Sequence, residues 1–92
     1  MIHFLVHGAD DNVAVAVVNV SKGDSGRAMN METRKEFDIA AQSDIPLGHK
    51  IALRDHSTGE GVIKYGHDIG KVVKDFKKGD HVHIHNLKTK RW

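Results

Sequence analysis

Apolar and polar positions alternate along much of this chain, and the alternation predicts strands. Val13 to Val20 reads Val-Ala-Val-Ala-Val-Val-Asn-Val. So many β-branched residues lose side-chain freedom in a helix, so the run predicts a well-buried strand. Ile2 to His7 predicts a first strand, with His3 and His7 on one parity. Near the C-terminus, His81-Val82-His83-Ile84-His85-Asn86 interleaves imidazoles with branched aliphatics. As a strand it sends Val82 and Ile84 to a core and sets His81, His83 and His85 on the opposite face. Gly23 and Gly26 mark a loop. Met29 to Gln42 fits an alternating strand pair, or a turn or two of helix over residues 33–41, and a strand or hairpin is the expectation.

A short repeat punctuates the second half. Asp, three residues, Gly, two residues and an aliphatic recur as Asp44-Gly48-Ile51, Asp55-Gly59-Val62 and Asp75-Gly79-Val82, and Val20-Ser-Lys-Gly23 looks like a worn fourth copy. Each copy reads as a turn feeding a strand: the Asp accepts backbone amides, the Gly takes a left-handed conformation, and the aliphatic residue re-enters the core. The copies are too unevenly spaced for a solenoid. They predict an all-β fold of short strands and glycine turns.

Composition narrows the class. At 92 residues, 39% hydrophobic and 28% charged, the chain suits one small globular domain, with residues 88–92 as a short basic tail. No apolar run approaches the roughly 20 residues of a membrane span, and the N-terminus carries no export pattern, so the expected location is the cytoplasm without membrane contact. There is no cysteine, which removes disulfides and thiolate chemistry and leaves a metal or a partner chain as the usual means of stabilising so small a domain. The net charge is +2, its basic excess gathered at Lys88, Lys90 and Arg91. With aromatics at 5% there is no ladder on which bases could stack, so nucleic acid is not expected as a partner.

Three segments, Pro46-Leu-Gly-His-Lys-Ile-Ala-Leu-Arg-Asp55, Val62-Ile-Lys-Tyr-Gly66 with Ile69-Gly70, and Gly79-Asp-His-Val-His-Ile-His-Asn86, resemble the SAF domain of the altronate and galactarate dehydratase family. His7 followed by Asp11-Asn12-Val13-Ala14-Val15 is similar to the N-terminal run of that family, so the resemblance extends from Ile2 to about Lys88. It implies a β-clip, a small all-β fold. His56, Phe76 and Gly61 depart from the family pattern at turn and packing positions. In that family the domain is commonly fused to a larger catalytic region, whereas this chain stops at Trp92. A separate chain of this length with a basic tail resembles the small subunits of the sulfolactate sulfo-lyases, which implies a large catalytic subunit as partner.

The chemistry implied by the resemblance is elimination next to a carboxylate, assisted by a divalent metal, iron(II) or similar. Its carbanion-like transition state needs a base near the proton and positive charge near the carboxylate. Alternate strand positions lie about 6.6 Å apart, so two of the three C-terminal imidazoles can converge on an ion and three can hardly do so. His83 and His85 are the candidate ligands, and His81 flanks them. Asn86 orients a ring or a substrate oxygen. His49 and Lys50 fall on opposite faces of any regular strand that begins there, and His49 is the candidate base. Lys64 offers an ammonium for a carboxylate or sulfonate, Tyr65 a phenol, and His7 with Asn12 a further substrate-binding pair. His3, His56 and His67 read as surface residues. Three solvated histidines on a sheet face satisfy the same pattern. Two other functions stay open: a non-catalytic module that binds sugar acids or other anions, and a histidine-rich metal-binding domain. Within the enzyme reading, sugar-acid dehydration is the alternative.

Overall fold

The computed structural model describes residues 1–8, 11–59, 61–64, 67–72, 74–82 and 87–89, with backbone alone for 62–64, 67–71 and 87–89. Among them there is no helix. Nine strands run β1 Phe4–Val6, β2 Val13–Ala16, β3 Ser25–Asn30, β4 Glu36–Ala40, β5 Lys50–Ala52, β6 Gly61–Lys64, β7 His67–Val72, β8 His81–Val82 and β9 Leu87–Thr89. The first sheet has the order β4-β3-β1-β2-β5-β8 and the second the order β6-β7-β9. All pairs are antiparallel except β1 with β3, so the larger sheet is mixed. The expected all-β class is what forms. The stretch after Met29 is the expected hairpin, β3 and β4 paired from Ser25 opposite Ala40 to Met29 opposite Glu36.

The larger sheet buries apolar residues on both faces. On one, Phe4 lies between Ala16 and Ala28, and Ala14 lies opposite Ile51. These join Val6, Val20, Ile39, Ala41 and Ile45 in the first core. The alanines leave room for the Phe4 ring, and so does Gly26, where an added Cβ would stand 2.5 Å from Phe4 Cε2. Gly26 therefore belongs to β3 rather than to a loop. On the other face Val13 pairs with Ala52, and both pack with Val72, Phe76 and Val82 in a second core. Val82 is fully buried, on the side the alternation assigns to it.

The repeat proves to be the joint of the fold, and it has four copies in two reciprocal pairs. Aligned, they read Ala16-x-x-Asn19-Val20-Ser21-Lys22-Gly23-Asp24, Ala41-x-x-Asp44-Ile45-Pro46-Leu47-Gly48-His49, Ala52-x-x-Asp55-His56-Ser57-Thr58-Gly59-Glu60 and Val72-x-x-Asp75-Phe76-Lys77-Lys78-Gly79-Asp80. Val20 and Ile45 exchange both backbone hydrogen bonds, at 2.9 and 2.8 Å, and so do His56 and Phe76, at 2.8 and 3.0 Å. The side chain opening each turn reaches across to its partner. Asp44 Oδ1 accepts Lys22 N–H at 2.8 Å while Asn19 Oδ1 accepts Leu47 N–H at 2.8 Å. In the second pair Asp75 Oδ1 accepts Thr58 N–H at 2.7 Å and Asp55 Oδ1 accepts Lys78 N–H at 2.8 Å. The glycines complete the exchange, each donating to the carbonyl of the first residue of the partner repeat: Gly23 to Ala41, Gly48 to Ala16, Gly59 to Val72 and Gly79 to Ala52. All four have φ between +85° and +94°, a conformation that costs an L-residue about 1–2 kcal/mol.

His56 is a correction. Rather than lying at the surface it is 3% exposed, stacked on Phe76 with ring centroids 4.9 Å apart and Nδ1 3.1 Å from the Arg54 carbonyl, because it fills the position that Val20, Ile45 and Phe76 fill in the other copies. His3 is likewise engaged, its Nδ1 accepting the Arg27 amide at 2.9 Å.

Gly23→Ala should lower stability by about 1 kcal/mol, the backbone term alone, because nothing lies within 4 Å of the added methyl. Gly79→Ala should cost clearly more, since its methyl would overlap the Ala40 carbonyl oxygen and crowd Gln42; equal urea midpoints for the two variants would contradict this account. The Thr58 amide, its hydroxyl and nearby Lys77 hold the Asp75 carboxyl below its ordinary value of 3.8. A depressed acid stabilises the fold above its unfolded pKa and loses that contribution as pH falls through the folded one. Asp75→Ala should therefore be less stable than the parent at pH 7, and the gap should close as the pH is taken below 3.8.

Candidate functional site: a paired histidine at the start of β5

Gly48 turns the chain out of its clip and His49 follows at once, its amide donating to the Pro46 carbonyl at 2.9 Å and its carbonyl accepting Ala16 N–H at 2.8 Å. Both backbone groups are thereby held before the strand begins. Along β5, Lys50 lies opposite Val82 and Ile51 opposite His81. Alternation then puts Lys50 on the side of the second core and His49 on the side of Ile51 and His81. The two rings meet. His49 Nδ1 is 2.7 Å from His81 Nε2, the ring centroids are 5.0 Å apart and the planes differ by 24°. Both residues are half-buried.

A contact this short between imidazole nitrogens is a hydrogen bond in which one ring brings N–H and the other a lone pair, so it couples their tautomers. When His49 donates from Nδ1, its own lone pair sits on Nε2, where a base needs it. A proton taken up at Nε2 is then matched by the Nδ1 proton leaning toward, or passing to, His81 Nε2. The second ring thus spreads the charge created by the first, an arrangement suited to general base catalysis.

The other expected residues are placed elsewhere or are not described. His7, half-buried, follows β1, and Asn12, 3% exposed, precedes β2 with its carbonyl accepting Leu53 N–H at 2.9 Å. They share one end of the β1–β2 pair. His49 stands beside Ala16 at the other end of β2, about 13 Å away by strand rise. Lys64 closes β6 opposite His67 in the second sheet, not on the strands that carry His49 and His81. Tyr65, His83, His85 and Asn86 lie outside the described residues. His81 is the member the spacing argument relegated to a flank; only the register of β8 on β5 brings it to a residue 32 positions away.

The described residues do not fit a metal site on their own. Two of the four imidazole nitrogens of the pair are committed to each other, and among the described residues no three His, Asp or Glu side chains gather.

The model of the altronate/galactarate dehydratase SAF domain matches residues 2–90. This chain belongs to that family. Among its relatives, the (2R)-sulfolactate sulfo-lyase subunit alpha of Chromohalobacter salexigens is 48% identical over 94 aligned positions, covering 99% of this chain and 98% of that protein. The protein of the same name from Paracoccus pantotrophus is 56% identical over 57 positions, 62% of this chain and 85% of that protein. The altronate dehydratase of Bacillus subtilis is 37% identical over 79 positions, which is 86% of this chain but 15% of that protein. As a SAF-domain protein the chain thus has two kinds of relative, one its own size and one in which the domain is a small segment of a long polypeptide.

The shared hydrogen bond has a direct signature. With ¹⁵N-labelled histidine, a scalar coupling across the bond should join His49 Nδ1 to His81 Nε2 and vanish in His81→Phe; two uncoupled rings in the parent would show the pair to be unbonded in solution.

Proposed function

We propose that this chain is the small subunit of a sulfolactate sulfo-lyase, which works with a large catalytic subunit to eliminate sulfite from sulfolactate and leave pyruvate. The observation that carries the reading is the end-to-end match to a sulfo-lyase alpha subunit, 99% of one chain on 98% of the other at 48% identity. The altronate dehydratases match this chain within one small part of their length.

In the proposed reaction a base removes the proton from the carbon that bears hydroxyl and carboxylate, the C–S electron pair leaves with sulfite from the neighbouring carbon, and the enol formed gains a proton on that carbon and loses its hydroxyl proton to become pyruvate. His49 is the base, with its Nδ1 hydrogen-bonded to His81 so that the imidazolium is shared. Lys64 supplies an ammonium to the carboxylate or sulfonate of the dianion, Tyr65 and Asn86 contribute further substrate contacts in the assembled enzyme, and His7 and Asn12, about 13 Å away at the other end of β2, fall outside the reach of a three-carbon substrate held at His49. A divalent metal, iron(II), belongs to the proposal with His83 and His85 as its ligands in this chain, and no step above depends on it. An isolated chain has no wall to exclude water around half-buried rings, so it is inactive alone and works in the cytoplasm as part of a heteromer. Sugar-acid dehydration, favoured by the likeness to altronate dehydratase, uses the same proton abstraction with water as the leaving group.

The test is reconstitution with the large chain encoded in the same genome, under anaerobic iron(II), with sulfite release measured from sulfolactate and water loss from altronate and galactarate. His49→Gln should reduce sulfite release by about 10²-fold or more without dissociating the complex, and His81→Phe by less, because it orients the base rather than acting on substrate. Full turnover by His49→Gln, or by the small chain alone, overturns the reading. Elemental analysis of the complex should show the metal lost in the double variant His83→Ala/His85→Ala.

A further inference from the structure

The four copies of the turn are an internal control on one another, and one of them breaks rank. The bonds of each clip use Asp or Asn at the opening and glycine at the end, and bury the side chain that follows the opening, Val20, Ile45, His56 or Phe76; they ask nothing apolar of the two residues at the tip. Three tips are polar accordingly: Ser21-Lys22, Ser57-Thr58 and Lys77-Lys78. The remaining tip is Pro46-Leu47, with Leu47 60% exposed.

The same copy departs at the residue after glycine. That position holds Asp24, Glu60 and Asp80 in the three polar copies and His49 in this one. One reason is visible in the last turn, where Asp80 Oδ2 accepts the backbone N–H of Lys77 at 2.8 Å. Pro46 occupies the position of Lys77 and has no N–H, so an acid at position 49 would have no such bond to make. Proline at the tip thus releases the position just before the next strand from its structural duty, and a histidine stands there, bonded to His81. The Leu47 backbone is held by Asn19 Oδ1 at 2.8 Å, so the exposed leucine is presented on a fixed turn rather than a mobile one. Val17, 38% exposed, lies on the Ala16–Asn19 stretch to which this turn is bonded through Gly48 and Leu47.

We propose that the Pro46–Leu47 tip, bonded to the stretch that carries Val17, is the surface on which the large catalytic chain docks, so that the partner closes over the His49–His81 pair two residues away. This rests on the two-chain reading above. The occupant is argued from the relatives. In altronate dehydratase this domain is 15% of one continuous chain, so its contact with the catalytic remainder is intramolecular there and has to be rebuilt as an interface where the domain is a separate subunit. An apolar, preorganised leucine next to a half-buried base meets that need: it can enter an apolar pocket on the partner at little entropic cost and exclude water from the rings.

The test measures binding of this full chain to the purified large subunit by titration calorimetry, with sulfite release from sulfolactate assayed on the same preparations. Leu47→Lys copies the residue at the same place in two sibling turns, so the clip should fold, which circular dichroism and thermal unfolding verify. It should weaken binding at least about tenfold. Lys22→Ser, at the equivalent place in the partner turn, should bind like the parent. Phe37→Lys probes another exposed apolar residue, on the edge strand β4. Unchanged affinity for Leu47→Lys, a loss with Phe37→Lys in its place, or a parent chain that does not bind the large subunit, overturns the docking assignment. Should the parent bind, Leu47→Lys weaken it and neither complex release sulfite, the docking assignment stands and the sulfo-lyase reading falls.

Discussion

Everything in this fold follows from one exchange: the carboxylate or amide that opens one glycine turn holds the backbone amide of a second turn, and the second holds the first. Neither turn is complete alone. Asn19 and Asp44 each need an amide from the other's loop, as do Asp55 and Asp75. The exchange fixes where strands leave the clips, so β5 and β8 each begin at the second residue after their glycine, Gly48 and Gly79. Two such joints, between Val20 and Ile45 and between His56 and Phe76, tie remote parts of a short chain that has no cysteine for a disulfide. The individual bonds are exposed and modest, but they also satisfy backbone groups within the four paired turns, which otherwise would need water.

The packing is shaped by the same economy. With so few residues there is little to bury, and the larger sheet uses both faces to do it. A line of alanines, Ala14, Ala16, Ala28 and Ala52, lets the sheet lie close to Phe4 on one side and Phe76 on the other. The polar exceptions inside are of two kinds. His56 takes an apolar slot in a clip and stacks on Phe76, whereas Asp11 and Asn12 form a buried polar bend at the far end of β2 from His49. The site pair is different again: half-buried, bonded ring to ring, and set at the margin where a second chain can reach it.

Much of the fold was legible beforehand. The β-branched run from Val13, whose strand ends at Ala16 and not at Val20 because the rest of the run enters a clip with Val17 exposed, the alternation at Val82 and the hairpin after Met29 are local patterns, and strands are local in their chemistry even when their partners are not. The site was legible only by halves. Parity correctly separated His49 from Lys50, but it treated His81 as an onlooker because it compared that residue with its sequence neighbours rather than with β5. His56 was misjudged for a related reason: its burial depends on Phe76 of another turn, and no window around Asp55 contains that information.

By itself the sequence determined the class of structure and the repeated turn, because a β-branched run, an Asp and a glycine at fixed spacing act through the backbone within a few residues of themselves. Only the tertiary structure decided which turn clasps which, that histidine 56 is core, and that the rings at 49 and 81 share a proton's bond. Those outcomes depend on register between strands far apart in the chain, where a shift of a single residue would have sent either ring to the opposite face.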